Sequence, residues 1–299
     1  CTGRRLAQAD ASVHDGLPLM RVFDVLPRGW PVAAMTRQHD VGDAAGSAWL
    51  RADPVHVRPD INGARLLAHG EALQLTHADA AALLPALRPL FGDAGFLLDA
   101  PTPDRWYLQL PAGARLPAMA SPQEALGADL FEHLPGFDDD ASAEGRRWRA
   151  LLSEAQVTLH NHPHNAQRAA AGLAPINSLW FWGGGVLPDQ VRTPHAQVFS
   201  DDDAVLAFAR LAGAHADRLP PRWTAGEGDR LFDLRDSRDL ALLERDWFAP
   251  LLADLQAGRL AHAGFDFADG HGYRISHGQR WRFWRRPWRQ LGAAQPGPE

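Results

Sequence analysis

Apolar positions recur along this chain with two spacings, and the switches between them mark out its elements. Residues 48–58 (AWLRADPVHVR) place Trp49, Val55 and Val57 in an extended pattern, clearest as alternation over Val55–His56–Val57–Arg58 and interrupted at Pro54. The short apolar run 30–35 (WPVAAM) predicts a buried strand. From Thr76 the spacing turns helical. Ala81, Leu84, Leu87 and Leu90 keep one face apolar, Thr76 is placed to cap with Asp79, and Pro85 predicts a kink or an end. Residues 96–98 and 106–110 flank the turn 101–104 and predict a hairpin. After an acidic loop over 135–144, Ser142 is a candidate cap for a helix burying Trp148, Leu151, Leu152, Ala155 and Leu159, which stops before Pro163. A short helix over 165–171 ends at Gly172, and 176–182 (INSLWFW) is a continuous apolar strand running into Gly183, Gly184 and Gly185.

Beyond that point the pattern predicts an amphipathic helix over 203–213, and a helix over 240–255 bent or broken at Pro250. A terminal hairpin follows, with 265–267 and 273–283 about a turn at 268–270. Residues 6–14 read as a helix tail and the last eleven as a loose end. The expectation is an α/β fold, mixed sheets with flanking helices, in two regions: 1–185, and a smaller 186–299.

Charge and composition narrow the partners. Thirty basic residues, all arginine, against thirty-six acidic ones leave a net charge of -6, which disfavours bulk nucleic acid or an anionic membrane as the main partner. The single cysteine, Cys1, excludes an internal disulfide framework and a structural zinc site built on several thiolates. No stretch reaches the roughly 18–20 apolar residues that cross a bilayer, so a soluble cytoplasmic protein is expected. The first methionine is Met20, from which residues missing upstream of Cys1 are expected.

The densest polar chemistry is His160–Asn161–His162–Pro163–His164–Asn165, followed by Arg168. Three imidazoles invite a metal reading. Pro163 breaks the helix between them, however, and no carboxylate or thiolate stands at helical spacing, which favours a polar corner whose side chains cap backbone groups. His162, Asn165 and Arg168 share a face at spacing three and could converge on a phosphate or carboxylate. The alternative is that Asn165 caps the helix and Arg168 is solvated. The glycine triplet could bring backbone N–H groups to a phosphate, but without a following nucleotide-loop pattern it reads better as a tight re-entry between two regions. The aromatic–arginine segment 281–289 has the ingredients of a stacking surface for single-stranded nucleic acid, or of a core strand with arginine stems over it. Asp138–Asp140 and Asp201–Asp203 are read as solvated loop and helix-start carboxylates rather than magnesium sites.

His162, Pro163, Asn165, Arg168, Gly172, Pro175, Asn177, Gly183 and Gly185 match in order and spacing the H-P-x-N-x-x-R-x-x-x-G-x-x-P-x-N…G-x-G segment of archaeal-type cofactor-independent phosphoglycerate mutases. Over most of its length, with WLRADPVHVRPD (49–60), PDRWYLQL (103–110) and NSLWFWGGG (177–185), the chain resembles the RpfE-type regulatory proteins of bacteria. The resemblance implies a degenerate phosphoglycerate-mutase/alkaline-phosphatase-like fold, with His162, Asn165, Arg168, Asn177, Gly183 and Gly185 as ligand-binding positions. It also implies a serine or threonine nucleophile beside two divalent metals held by Asp and His. The sequence departs from that plan. No D-x-x-x-H pair follows Gly185, no N-terminal nucleophile motif is present, and Trp182 stands where the mutases usually carry an arginine. The expectation is a non-catalytic or regulatory mutase-like protein without a cofactor, binding a small phosphorylated or carboxylated ligand and a protein partner. The alternatives are a divergent mutase or phosphatase using Mn or Mg, and a nucleic-acid-binding regulator.

Overall fold

The computed structural model describes residues 4–5, 21–60, 63–116, 119–128, 133, 143–267 and 272–278. The predicted elements at 6–14, 135–142, 268–270 and 279–299 lie outside the described residues, among them the aromatic–arginine segment 281–289. The chain is a mixed α/β protein that divides into two compact units, Val25–Gln190 and Cys1–Asp24 with Val191–Glu299.

The first unit is organised on one long strand, β1 (Ala48–Asp60). Its neighbours β2 (Gly63–His69), β4 (Tyr107–Leu110) and β5 (Ser178–Val186) all run antiparallel to it, and β3 (Leu97–Asp99) pairs beyond β4. Ala48 pairs with both Leu110 and Val186, and Val55 with both His69 and Ser178, so β4 and β2 share one edge of β1 end to end while β5 takes the other. That arrangement explains why β1 runs through Pro54 rather than stopping there. Ala52, of the same parity, donates its N–H to Trp106 O, so the Pro54 nitrogen faces the same edge, in the gap between β4 and β2. No ladder donor is needed at that point.

Residues 32–35 of the predicted strand 30–35 are instead the first turn of helix α1 (Val32–Asp40), whose residues Val32 through Arg37 are all buried. An apolar run of six does not distinguish a buried strand from a helix buried on every side. Helix α2 (His77–Asp93) opens with the predicted Thr76–Asp79 capping box and continues through Pro85 and Pro89. Both prolines are exposed and lie four apart on the outer face, where the carbonyls they leave unbonded reach water. The buried stripe is Ala80, Leu83, Leu84, Leu87 and Phe91, one residue round from the predicted Ala81 and Leu90. Helix α3 (Ala143–His160) buries Trp148, Leu151, Leu152, Ala155 and Leu159 as predicted, and α4 (His164–Ala170) is followed by Gly172 at φ +73°. The core of this unit is aromatic at its centre. The Trp148 ring stacks on Phe96 at 5.3 Å and meets Phe181 edge-on at 5.3 Å.

In the second unit β6 (Gln197–Phe199) lies between β7 (His215–Asp217) and β8 (Arg230–Phe232), both parallel to it. Helix α5 (Asp203–Leu211), capped by Asp202, connects β6 to β7. The predicted helix over 240–255 is α6 (Leu240–Leu242) and α7 (Ala249–Gln256), joined by a π-helical turn over Leu243–Phe248. Pro250 has no N–H to give the Asp246 carbonyl, which instead accepts the Trp223 N–H at 2.8 Å. Strands β9 (His262–Asp266) and β10 (Gly272–Ser276) form the predicted hairpin, and Arg4–Arg5 pairs antiparallel to β10. Among the described residues no helix is long and apolar enough to cross a membrane.

Candidate functional site

The polar run 160–168 ends helix α3 and starts α4; His160 and Asn161 are exposed, while His162, His164 and Asn165 are partly buried and Arg168 fully so. Arg168 is only 2% exposed. Its fork donates Nε to Ala174 O at 2.9 Å, Nη1 to Asp79 Oδ1 at 2.9 Å and Nη2 to Leu73 O at 2.6 Å. One guanidinium thereby ties α4 to the first turn of α2, to the chain ahead of it and to the loop entering β5. Asp79 is the hub. Its carboxylate also accepts from Thr76 N at 2.8 Å, Thr76 Oγ1 at 2.6 Å and His164 Nε2 at 2.7 Å. Burial pushes Asp79 up, but the hydrogen bonds from Thr76, His164 and Arg168 outweigh it and hold the group well below the usual carboxylate range.

The asparagines replace missing backbone pairing. Asn165 donates Nδ2 to Leu159 O at 2.8 Å and Ile176 O at 2.9 Å, and its Oδ1 accepts from Ile176 N at 2.8 Å, fastening the end of α3 to the start of β5. Asn177 accepts from Val57 N at 2.8 Å and donates to Val57 O at 2.7 Å. This reproduces a ladder pair with a side chain, next to the irregularity at His56/Val57 where β1 changes register against β2. His162 Nδ1 accepts from His164 N at 3.2 Å, and burial followed by the neighbouring His164 lowers the imidazole below its ordinary value. His164, expected with His160 to cap backbone groups at this corner, instead reaches the α2 carboxylate Asp79.

Gly183, Gly184 and Gly185 lie inside β5, not at a re-entry between regions. They let α1 sit on the strand. A Cβ on Gly183 would fall 2.9 Å from Val32 Cβ, and one on Gly185 2.7 Å from Pro31 Cβ. The site predicted from sequence is thus brought together only in part. His162, Asn165, Arg168 and Asn177 cluster where α3, α4, α2 and the edge of β1 meet, while the glycines serve the α1 contact.

A second polar constellation, not singled out from sequence, lies between α1 and the sheet. Arg37 stands over Trp49 at 4.6 Å and Tyr107 at 5.6 Å, and Arg51 over Tyr107 at 5.4 Å and Trp182 at 5.2 Å, so cations and rings alternate. Each cation has its carboxylates. Arg51 Nε donates to Asp53 Oδ1 at 2.8 Å, Arg37 to Asp43 at 2.6 Å and also to Asp99, and Arg105 to Asp40 at 2.8 Å. Trp182 Nε1 donates to Asp53 Oδ2 at 2.7 Å, so the residue standing where the mutases carry an arginine closes over this ion pair. Burial raises Asp53, opposed by Arg51 and Trp182. The signal available in the sequence was Arg51 and Asp53 two apart in an apolar strand, which places both on one face.

No family model matches the chain. It is 31% identical over 90 residues to the 2,3-bisphosphoglycerate-independent phosphoglycerate mutase of Methanosarcina barkeri, a match spanning 30% of this chain and 21% of that enzyme. It is 37% identical over 68 residues to the probable enzyme of that name from Geobacter sulfurreducens, spanning 22% of this chain and 16% of the relative. Part of the chain is a weak relative of these mutases. The match thus spans about a fifth of the length of the curated relatives. Among solved structures, the cofactor-independent phosphoglycerate mutase of Thermoplasma acidophilum aligns with TM-score 0.38 and 16% identity over 75% of this chain and 60% of that one.

The mutase resemblance implies Mn or Mg held by aspartates and histidines. Among the described residues no three His, Cys, Asp or Glu side chains are grouped so as to hold an ion, and Asp40, Asp53, Asp79 and Asp233 each bond an arginine instead. The described donor set does not fit a two-metal centre.

The Asp79 hub has a pH signature. Its folded-state proton affinity is depressed, so its contribution is complete above the unfolded carboxylate value of about 3.9 and is lost as pH falls below it toward the folded value. Urea midpoints measured from pH 7 to pH 2 are expected to drop more steeply for the native chain than for Asp79→Asn, with the two curves converging in acid. Parallel curves would remove Asp79 from the acid response.

Proposed function

We propose that the chain is a non-catalytic, regulatory relative of the cofactor-independent phosphoglycerate mutases, in which the motif shared with those enzymes has become a framework. One observation carries this reading: Arg168 is 2% exposed and each nitrogen of its fork already bonds a protein acceptor, Ala174 O, Asp79 or Leu73 O, while Asn165 and Asn177 bond backbone groups, so these side chains are turned to the framework and away from a phosphate in solvent. Trp182, closed over Arg51 and Asp53, supports the same conclusion, because an indole donates one hydrogen bond where an arginine would present a charged fork. The resemblance to RpfE-type proteins supports a regulatory role in the bacterial cytoplasm, acting through a protein partner.

The test is direct. The purified chain, supplied with manganese, is expected to interconvert 3- and 2-phosphoglycerate no faster than buffer. Turnover that rises in proportion to protein and is abolished by Asp53→Asn, with unchanged circular dichroism, would establish the divergent-mutase alternative instead.

A further inference from the structure

The parallel sheet of the second unit has a face that the mutase-like motif does not touch. Register pairs His215, Gln197 and Arg230 in one row and Asp217, Phe199 and Phe232 in the next, so all six side chains project from the same side. None of the six is buried, whereas Val198, which points the other way, is completely so. Phe199, Asp217 and Phe232 are the last residues of their strands, the end at which open parallel sheets take their ligands.

The rings on this face are organised. Phe199 and Phe232 stack at 5.0 Å with 12° between their planes, Trp223 and Trp247 each approach Phe232 at 5.3 Å, and His215 lies edge-on to Phe199 at 6.4 Å. Arg230 sits beside them, its guanidinium 5.2 Å from the Trp223 ring and 5.3 Å from that of Phe232.

Arg230 differs from the arginines that are paired with aspartates. Arg37, Arg51, Arg105, Arg168 and Arg235 each hold an aspartate, whereas among the described residues Arg230 has no carboxylate within ion-pair distance. Its one bond is from Nη1 to Thr224 O at 2.8 Å. Asp254 acts on it only through space, being bonded to Trp223 Nε1 at 2.8 Å and to Arg259 at 2.6 Å. The other carboxylate on this face, Asp217, projects from two strands away, roughly 10 Å. A partly buried guanidinium with donors to spare and no bonded carboxylate, set against partly exposed rings, is a ready seat for an anion. The loop ahead of β8 passes close to it at Gly226, where a Cβ would lie 2.6 Å from Nη1.

We propose that this face is a binding site for a small planar aromatic anion, its ring packed on Phe199 and Phe232 and its carboxylate or phosphate on Arg230. The site stands apart from the shared motif and is independent of whether the chain turns over phosphoglycerate.

Calorimetric titration of the full chain with benzoate and with adenosine monophosphate distinguishes the two sources of such an anion, with cyclohexanecarboxylate and inorganic phosphate as controls lacking an aromatic ring. Saturable binding of one or both aromatic anions is expected, at least about tenfold tighter than either control. Arg230→Gln is expected to weaken binding by about tenfold or more, and Arg230→Lys by less. Phe199→Leu, which keeps apolar bulk without the π face, should weaken the aromatic anions selectively. The proposal is overturned if neither aromatic anion saturates by ~10 mM. It is equally overturned if cyclohexanecarboxylate binds as tightly as benzoate, or if Arg230→Gln, shown folded by circular dichroism, binds like the native chain.

Discussion

Replacing Arg168 with methionine is expected to lower the stability of the Val25–Gln190 unit by about 3–5 kcal/mol, the cost of removing one partner from a buried, hydrogen-bonded ion pair. The side chain is 2% exposed, so water does not take over its role. Leu73 O and Ala174 O lose their guanidinium donors, and Asp79 keeps Thr76 and His164 but loses its only bond to a permanent cation. Methionine fills much of the volume, which separates the polar loss from a cavity effect. Urea unfolding followed by tryptophan fluorescence measures the change. Arg168→Lys should recover only part of it, because an ammonium cannot present three coplanar donors to three acceptors set at fixed angles. A loss under about 1 kcal/mol would return Arg168 to the role first read from its spacing, a group held ready for a ligand.

Substituting Gly183 with alanine is expected to destabilise the same unit by about 2–4 kcal/mol, from two separable costs. Gly183 has φ +64°, a conformation that an L side chain occupies only with strain, and the added methyl would stand 2.9 Å from Val32 Cβ, which is fixed to the α1 backbone and cannot swing aside. Gly184→Ala is the internal control. Its new contacts are with Leu116 Cδ1 and Leu50 Cδ1, both far ends of side chains, and Gly184 carries no left-handed backbone requirement, so the loss should be the smaller of the two. If the triplet instead cradled an anion with its N–H groups, Gly183→Ala would leave thermal stability nearly unchanged and reduce phosphate binding. Thermal melts with and without phosphate separate these outcomes.

Both predictions turn on residues that stood out in the sequence, which shows what spacing conveyed and what it left open. Periodicity placed the capping box at Thr76 and Asp79, the buried stripe of α3 and the 97–110 hairpin, because each depends on neighbours within a few residues. It misread 30–35, where a helix covered on every side has no polar face to announce its period. It expected interruptions at Pro54 and Pro85. In the structure Pro54 faces the gap between two end-to-end neighbours, and Pro85 faces water.

The candidate site divides along the same line. Its residue types and order were legible, since His162, Asn165 and Arg168 stand in the densest polar run of the chain and Asn177 opens the apolar strand that follows it. Their partners were not: the acceptors for Arg168 come from 73, 79 and 174, and those for Asn177 from 57. The Trp49–Arg37–Tyr107–Arg51–Trp182 alternation draws on residues up to 145 positions apart, and no local pattern contains it.

By itself the sequence determined the helices and strands whose apolar faces repeat over a turn or a pleat, together with the arginine-only basic complement that supplies every cation. Tertiary structure alone decided which of those cations are bound by carboxylates and which, like Arg230, are left beside aromatic rings. Pairing is a matter of distance in space, and a guanidinium's chemistry depends on the groups that folding places within about 3 Å of it.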